Sequence, residues 1–123
     1  MKRLLLVDDD PNILESAKDI LEDAGYTVKT AGTLAAARPF LAEGALDILV
    51  IDFNLPDGKG LNLALEAKSQ WPALKRVLMT GEVPVAADGA DTGLFHAVLT
   101  KPVDPASLLA LLAAFDHRDE TNA

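Results

Sequence analysis

Asp8, Asp9 and Asp10 stand side by side near the start of this chain, and Asp52, Thr80 and Lys101 follow at long intervals. Three neighbouring carboxylates repel one another and need a cation or a structural partner. Two or three carboxylates with a backbone carbonyl make an all-oxygen site for a hard divalent cation. Few protein ligands plus water suit Mg²⁺ better than a caged Ca²⁺. A carboxylate can also act as a nucleophile toward phosphorus, giving an aspartyl phosphate. A cation beside it would neutralise the incoming phosphoryl oxygens, and an ammonium and a hydroxyl would cover those the cation does not reach. Each residue also has an ordinary explanation. Asp10 before Pro11 suits a helix N-cap and first position, Asp52 could cap a turn, Thr80 could be a strand-end hydroxyl, and Lys101 could be a solvated surface lysine. Which explanation holds depends on where the elements of the chain put these groups.

Residues 4–7 are an apolar run leading into Asp8, and residues 47–52 are another ending in Asp52. Such runs suit strands buried on both faces of a parallel sheet. Residues 77–79 lead into Thr80-Gly81, and residues 94–99 lead into Thr100-Lys101-Pro102. Residues 26–30 alternate apolar and polar, as an edge strand does. Between these runs, Ile13, Leu14, Ala17, Ile20, Leu21 and Ala24 fall at helical spacing, with Gly25 placed to cap the C-terminus. A second helix is expected over 34–43, kinked or shortened by Pro39. A Pro/Gly-rich loop over 55–60 leads to a third over 61–70, closed by packing of Trp71 before Pro72. Asp104-Pro105 opens a last helix to about Phe115. Residues 82–93 carry Pro84, Gly89 and Gly93, which predicts a short or irregular fourth helix. Alternating strands and helices predict an α/β fold with a parallel sheet covered on both faces. All the strand ends named above then lie on one edge, where such sheets bind ligands.

A length of 123 residues suits one domain, and an apolar half is enough for a folded core. No apolar run approaches the ~20 residues of a membrane span, and only Met1-Lys2-Arg3 precedes the first strand, so a cytoplasmic protein without membrane association is expected. The absence of cysteine excludes disulfides and thiolate metal sites. Nineteen acids against eleven bases give a net charge of −8, a poor balance for direct contact with nucleic acid.

Leu5-Leu6-Val7-Asp8-Asp9-Asp10-Pro11, Val50-Ile51-Asp52-Phe53-Asn54-Leu55-Pro56-Asp57-Gly58, Met79-Thr80-Gly81 and Thr100-Lys101-Pro102 together resemble the motifs of receiver domains of two-component response regulators. The resemblance covers nearly the whole chain and implies a receiver domain over residues 1–116 with a polar tail over 117–123. It implies a flavodoxin-like, doubly wound five-stranded sheet of order 2-1-3-4-5. By the same resemblance Asp52 is the phosphoacceptor, Asp9 binds Mg²⁺ directly and Asp8 mainly through water. The Asn54 backbone carbonyl completes the ligands, Lys101 contacts the phosphoryl group, and Thr80 swings toward it. The donor would be a phosphohistidine on a sensor histidine kinase or a histidine phosphotransfer protein, with an output partner unknown. Asn54 and Glu82 resemble the pair flanking the path of the attacking water in chemotaxis-type receivers, which implies a short phosphorylated lifetime.

The chain departs from the family pattern at Val98, where an aromatic usually precedes the lysine by three residues, and over 82–93. A pseudo-receiver that binds partners without phosphorylation is one competing reading. An aspartate-nucleophile phosphatase of the haloacid dehalogenase type is another, although Asn12 stands where its motif has Thr or Val and there is no room for a cap domain. His96 and His117 are expected to be structural or inert. In the last helix, Leu108, Leu111, Leu112 and Phe115 form a core stripe. Ala106, Leu109, Ala110 and Ala113 leave a small apolar face that suits either an uncharged helix side or a docking surface, so a monomer or weak homodimer is expected.

Overall fold

The computed structural model describes residues 2–81 and 94–122, with residues 116–122 as backbone only. The elements in chain order are β1 (Arg3–Val7), α1 (Pro11–Asp23), β2 (Thr27–Ala31), α2 (Leu34–Ala42), β3 (Ile48–Asp52), β4 (Asn54–Leu55), β5 (Gly58–Lys59), α3 (Gly60–Gln70), β6 (Lys75–Thr80), β7 (Ala97–Thr100) and α4 (Pro105–Asn122). Five strands form one parallel sheet in the order β2-β1-β3-β6-β7, and β4 and β5 form a separate antiparallel ribbon. Setting the ribbon aside, the sheet has the expected doubly wound 2-1-3-4-5 order. The expected fourth helix and Glu82 lie outside the described residues.

The central strands have apolar residues on both faces because both faces are covered. Leu5, Val7, Leu49, Ile51 and Leu78 pack in one core with Leu34, Ala37 and Leu41 of α2 and Leu63, Ala64 and Ala67 of α3. Leu4, Leu6, Ile48, Val50, Val77 and Met79 point the other way, onto Ala17 and Leu21 of α1 and Leu108, Leu112 and Phe115 of α4. Each buried Leu or Ile contributes about 1.5–3 kcal/mol. A register slip by one residue would exchange these two sets, so the register is strongly specified.

Local chemistry places the helix ends. Asp10 is the N-cap of α1, its Oδ1 accepting from the Asn12 N–H at 2.9 Å. At the other end the Tyr26 N–H reaches the Leu21 carbonyl at 3.1 Å and the Gly25 N–H reaches Glu22 at 3.0 Å, with Gly25 at φ +104°. That pair of bonds is the left-handed helix stop that glycine favours. Helix α2 runs unbroken through Pro39; the Ala35 carbonyl that loses its partner belongs to an exposed residue, where water can replace the missing N–H. Trp71 closes α3, its N–H on the Ala67 carbonyl at 2.7 Å and its ring against the core.

Two boundaries differ from the sequence reading by three residues or more. Strand β7 starts at Ala97 rather than at Leu94, since pairing with β6 begins at Val77 opposite Ala97. Leu94 and Phe95 are buried ahead of the ladder. Helix α4 continues to Asn122 rather than stopping near Phe115, because residues 116–122 contain neither Gly nor Pro to end it. His96 is structural in its contacts: its Nδ1 accepts from the Arg76 N–H at 3.0 Å, and its ring stands edge-on to Phe115 at 6.2 Å between centroids. Among the described residues, no helix is long and apolar enough to cross a membrane.

Candidate functional site

Parallel pairing brings the C-terminal ends of β1, β3, β6 and β7 to one edge. Asp8 follows β1 directly, Asp52 ends β3, Thr80 ends β6, and Lys101 follows Thr100 at the end of β7. Register links neighbours across the rim, with Asp52 opposite Met79 and Thr80 opposite Thr100. The Lys101 N–H donates to the Thr80 carbonyl at 2.7 Å, which fixes where the lysine side chain leaves the sheet.

The Lys101 ammonium bridges two carboxylates. Its Nζ donates to Asp52 Oδ2 at 2.9 Å and lies 3.0 Å from Asp8 Oδ2. Asp8 is fully buried and Asp52 nearly so, whereas Asp9 is exposed. Asp8 Oδ1 accepts the Asp10 N–H at 2.9 Å. Lys101 meets Asp8 Oδ2 as an ion pair, and no other donor reaches this buried oxygen. Burial is the largest influence on Asp8 and pushes its carboxyl above the usual value, and the Asp10 N–H and Lys101 oppose it only in part. Burial alone would lower the Lys101 ammonium, but hydrogen bonds and charge from Asp52 and Asp8 outweigh it and hold it above the ordinary lysine value.

Carboxylate oxygens of Asp8, Asp9 and Asp52 all lie within 4.8 Å of one another. Three carboxyl groups, two of them buried, crowd around one ammonium, and buried charge persists only when it is paired. The unsatisfied Asp8 Oδ2 and the oxygen-only donor set both fit a hard divalent cation, Mg²⁺ among them. Asp10 stands apart from this cluster, its carboxylate taken up in capping α1.

Asp52, Asp9, Asp8 and Lys101 are thus gathered as the sequence reading expected, with Thr80 buried at the adjacent strand end. Asn54 is exposed in β4, and its side-chain oxygen accepts from Lys59 Nζ at 2.6 Å. Val98 packs partly buried against the core on the α2 and α3 side, with Phe95 buried three residues before it.

Two contributors were missed in the loop after Asp52. Asp57 receives the Leu34 and Ala35 N–H groups at 2.9 and 3.0 Å and so ties this loop to the start of α2. Lys59 reaches back to Asn54 and lies 5.2 Å over the Phe53 ring. Pro56-Asp57 between Asn54-Leu55 and Gly58-Lys59 is a turn signal that would have revealed the ribbon.

Known proteins resemble this chain in sequence and in fold. The response regulator receiver domain family matches residues 4–113. The transcriptional regulatory protein GlrR of Escherichia coli is 34% identical over 122 residues, which cover 98% of this chain and 27% of that protein. The alginate biosynthesis transcriptional regulatory protein AlgB of Pseudomonas putida is 33% identical over 108 residues, 86% of this chain and 24% of its own length. The chain therefore spans about a quarter of the length of these relatives. Among solved structures, a CheY-like response regulator receiver domain protein from Methanospirillum hungatei superposes with a TM-score of 0.90 at 31% identity, over 100% of this chain and 99% of its own. The response regulator TrrA of Thermotoga maritima, solved in complex with Mg²⁺ and BeF, matches with a TM-score of 0.81 at 27% identity, over 93% of this chain and 98% of its own. With the family matched over most of its length and a receiver domain superposing over the whole chain, this chain belongs to the response regulator receiver domains.

Proposed function

We propose that Asp52 accepts a phosphoryl group from a phosphohistidine on a sensor kinase or phosphotransfer protein, in a Mg²⁺-dependent reaction that switches partner binding. The observation that carries this reading is the Lys101 ammonium held between the Asp52 and Asp8 carboxylates at one rim of the parallel sheet. Lys101 occupies Asp52 Oδ2, so Oδ1 is the attacking atom. It forms the new O–P bond as the P–N bond of the donor breaks, and the departing imidazole keeps the electron pair and takes a proton from solvent. Lys101 then moves its hydrogen bond from Asp52 onto a phosphoryl oxygen, and the Thr80 hydroxyl, one strand away, covers another. Asp9 and Asp52, the Asn54 carbonyl, and Asp8 through water would hold Mg²⁺, which supplies charge neutralisation for the phosphoryl oxygens.

The chain on this reading catalyses only its own phosphorylation and dephosphorylation. Likeness to relatives named as transcriptional regulators supports a role in controlling transcription, with the output carried by another domain or partner. The test is intact-protein mass spectrometry after incubation with acetyl phosphate and Mg²⁺, comparing wild type with Asp52→Asn. A phosphate adduct that forms in the wild type, requires Mg²⁺ and vanishes in the variant is expected. An adduct of equal yield in Asp52→Asn would overturn the assignment.

A further inference from the structure

Lys59 is placed where helix chemistry does not favour it. It is the residue before Gly60 at the N-cap of α3, makes no side-chain capping bond, and sets a cation at the positive end of the helix dipole. Its contacts are instead with the two residues that follow Asp52. The ammonium donates to Asn54 Oδ1 at 2.6 Å and lies 5.2 Å from the centre of the Phe53 ring. Backbone register makes the same pairing, with Asn54 opposite Lys59 in the ribbon, and the Gly60 N–H donates to the Phe53 carbonyl at 2.8 Å. Residues 59 and 60 thus grip residues 53 and 54 from the side chain and from the backbone.

We propose that Lys59 is a positioning residue that lengthens the life of the phosphoryl group on Asp52 by occupying the Asn54 carboxamide. The inference rests on the reading of Asp52 as phosphoacceptor. In hydrolysis, water attacks phosphorus in line, and its O–P bond forms as the bond from phosphorus to the Asp52 oxygen breaks. The Asp52 carboxylate is restored, inorganic phosphate leaves, and the water protons pass to phosphate and solvent. Such a water arrives from the solvent side, and a nearby carboxamide oxygen can orient it by accepting a hydrogen bond from it. Asn54 is exposed and two residues beyond Asp52, but its oxygen is engaged by a charged donor. The bond takes one of the two lone pairs of that oxygen and fixes the direction of the carboxamide, so the clamped amide is a poorer guide for the attacking molecule than a freely turning one.

The experiment times decay of the phosphate adduct by mass spectrometry after acetyl phosphate is removed, in Mg²⁺ buffer. It compares wild type, Lys59→Met, Lys59→Arg, Asn54→Ala and the double variant Lys59→Met/Asn54→Ala. Lys59→Met is expected to lose its phosphate at least about threefold faster. Lys59→Arg, which keeps a cationic donor, is expected to decay at the wild-type rate. The single Asn54→Ala and the double variant are expected to decay alike, because the lysine has nothing left to hold. Equal rates for wild type and Lys59→Met would overturn the proposal. So would an acceleration by Lys59→Met that persists undiminished without Asn54. Failure of the wild type to form any adduct would remove the phosphoacceptor reading and this inference with it.

Discussion

At the scale of single residues, the site is a charge arrangement in which one ammonium serves several acids. Lys101 is about a quarter exposed at its side chain while Asp8 is fully buried, so removing the lysine strands a carboxylate that water cannot reach. In metal-free buffer Lys101→Met should cost about 2–3 kcal/mol, discounted from a fully buried pair for the partial exposure of the lysine. Added Mg²⁺ should raise the Tm of the variant more than that of the wild type, since the cation takes over the lost compensation. A wild-type Tm in EDTA, or a weaker response to Mg²⁺, would contradict this account. Asp57 offers a second test, through pH. Its carboxyl is held below the usual value, first by the Leu34 N–H and then by the Ala35 N–H. A folded-state value below the unfolded one means that the unfolded chain binds the proton more readily. The contribution is therefore complete above the unfolded value of 3.8 and is lost as pH falls through the lowered folded value. Asp57→Ala should lower Tm at neutral pH, and the gap to wild type should close as the solution is acidified below that range. A gap independent of pH would show that the carboxylate charge is not what caps α2.

At the scale of elements, what was legible in the sequence is what neighbouring residues decide. Asp10-Pro11 announces α1 and Gly25 ends it, while the unbroken apolar runs of β1 and β3 declare strands covered on both faces. The convergence of Asp8, Asp52, Thr80 and Lys101 followed from the same pattern, because a parallel sheet leaves its strand ends on one edge. Asp57 on α2 was not legible, since 22 and 23 residues separate the partners and no local rule connects them. Lys59 on Asn54 needed the ribbon to be seen first, and two-residue strands carry almost no periodicity. The end of α4 was not legible either, since the polar residues after Phe115 suggest a stop, yet without Gly or Pro they continue the helix readily. The junction of β3, the ribbon and α3 is the tightest of these elements. A Cβ built on Gly60 would sit 2.1 Å from the Asp52 carbonyl oxygen, and that atom is backbone that cannot swing aside. Gly60→Ala should therefore cost about 3 kcal/mol or more in urea denaturation, as overpacking against a rigid neighbour does. It should also impair phosphorylation, by shifting the backbone that carries Asp52. A variant as stable as wild type would mean that α3 can pivot freely away from β3.

At the scale of the whole molecule, the charge of −8 and the chemistry of the rim pull in opposite directions. Close to the site, Lys101 and any bound cation attract a phosphoryl group. Farther out, an anionic donor meets a protein whose field is negative, and its concentration near the surface is lowered. The two effects are separable by range, because salt screens exposed charges beyond about 10 Å at 0.1 M and acts much less on partly buried pairs. Raising ionic strength at fixed Mg²⁺ should therefore speed phosphorylation by acetyl phosphate, since repulsion is screened while the gripping contacts at the rim persist. Phosphoramidate, with less negative charge, should show a shallower dependence. The measurement is the initial rate of adduct formation between about 0.01 and 0.15 M added salt. A rate that falls with salt for both donors would mean that the local attraction at Lys101 extends past the rim and governs the approach. The acidity of the chain would then carry no information about which donors it meets.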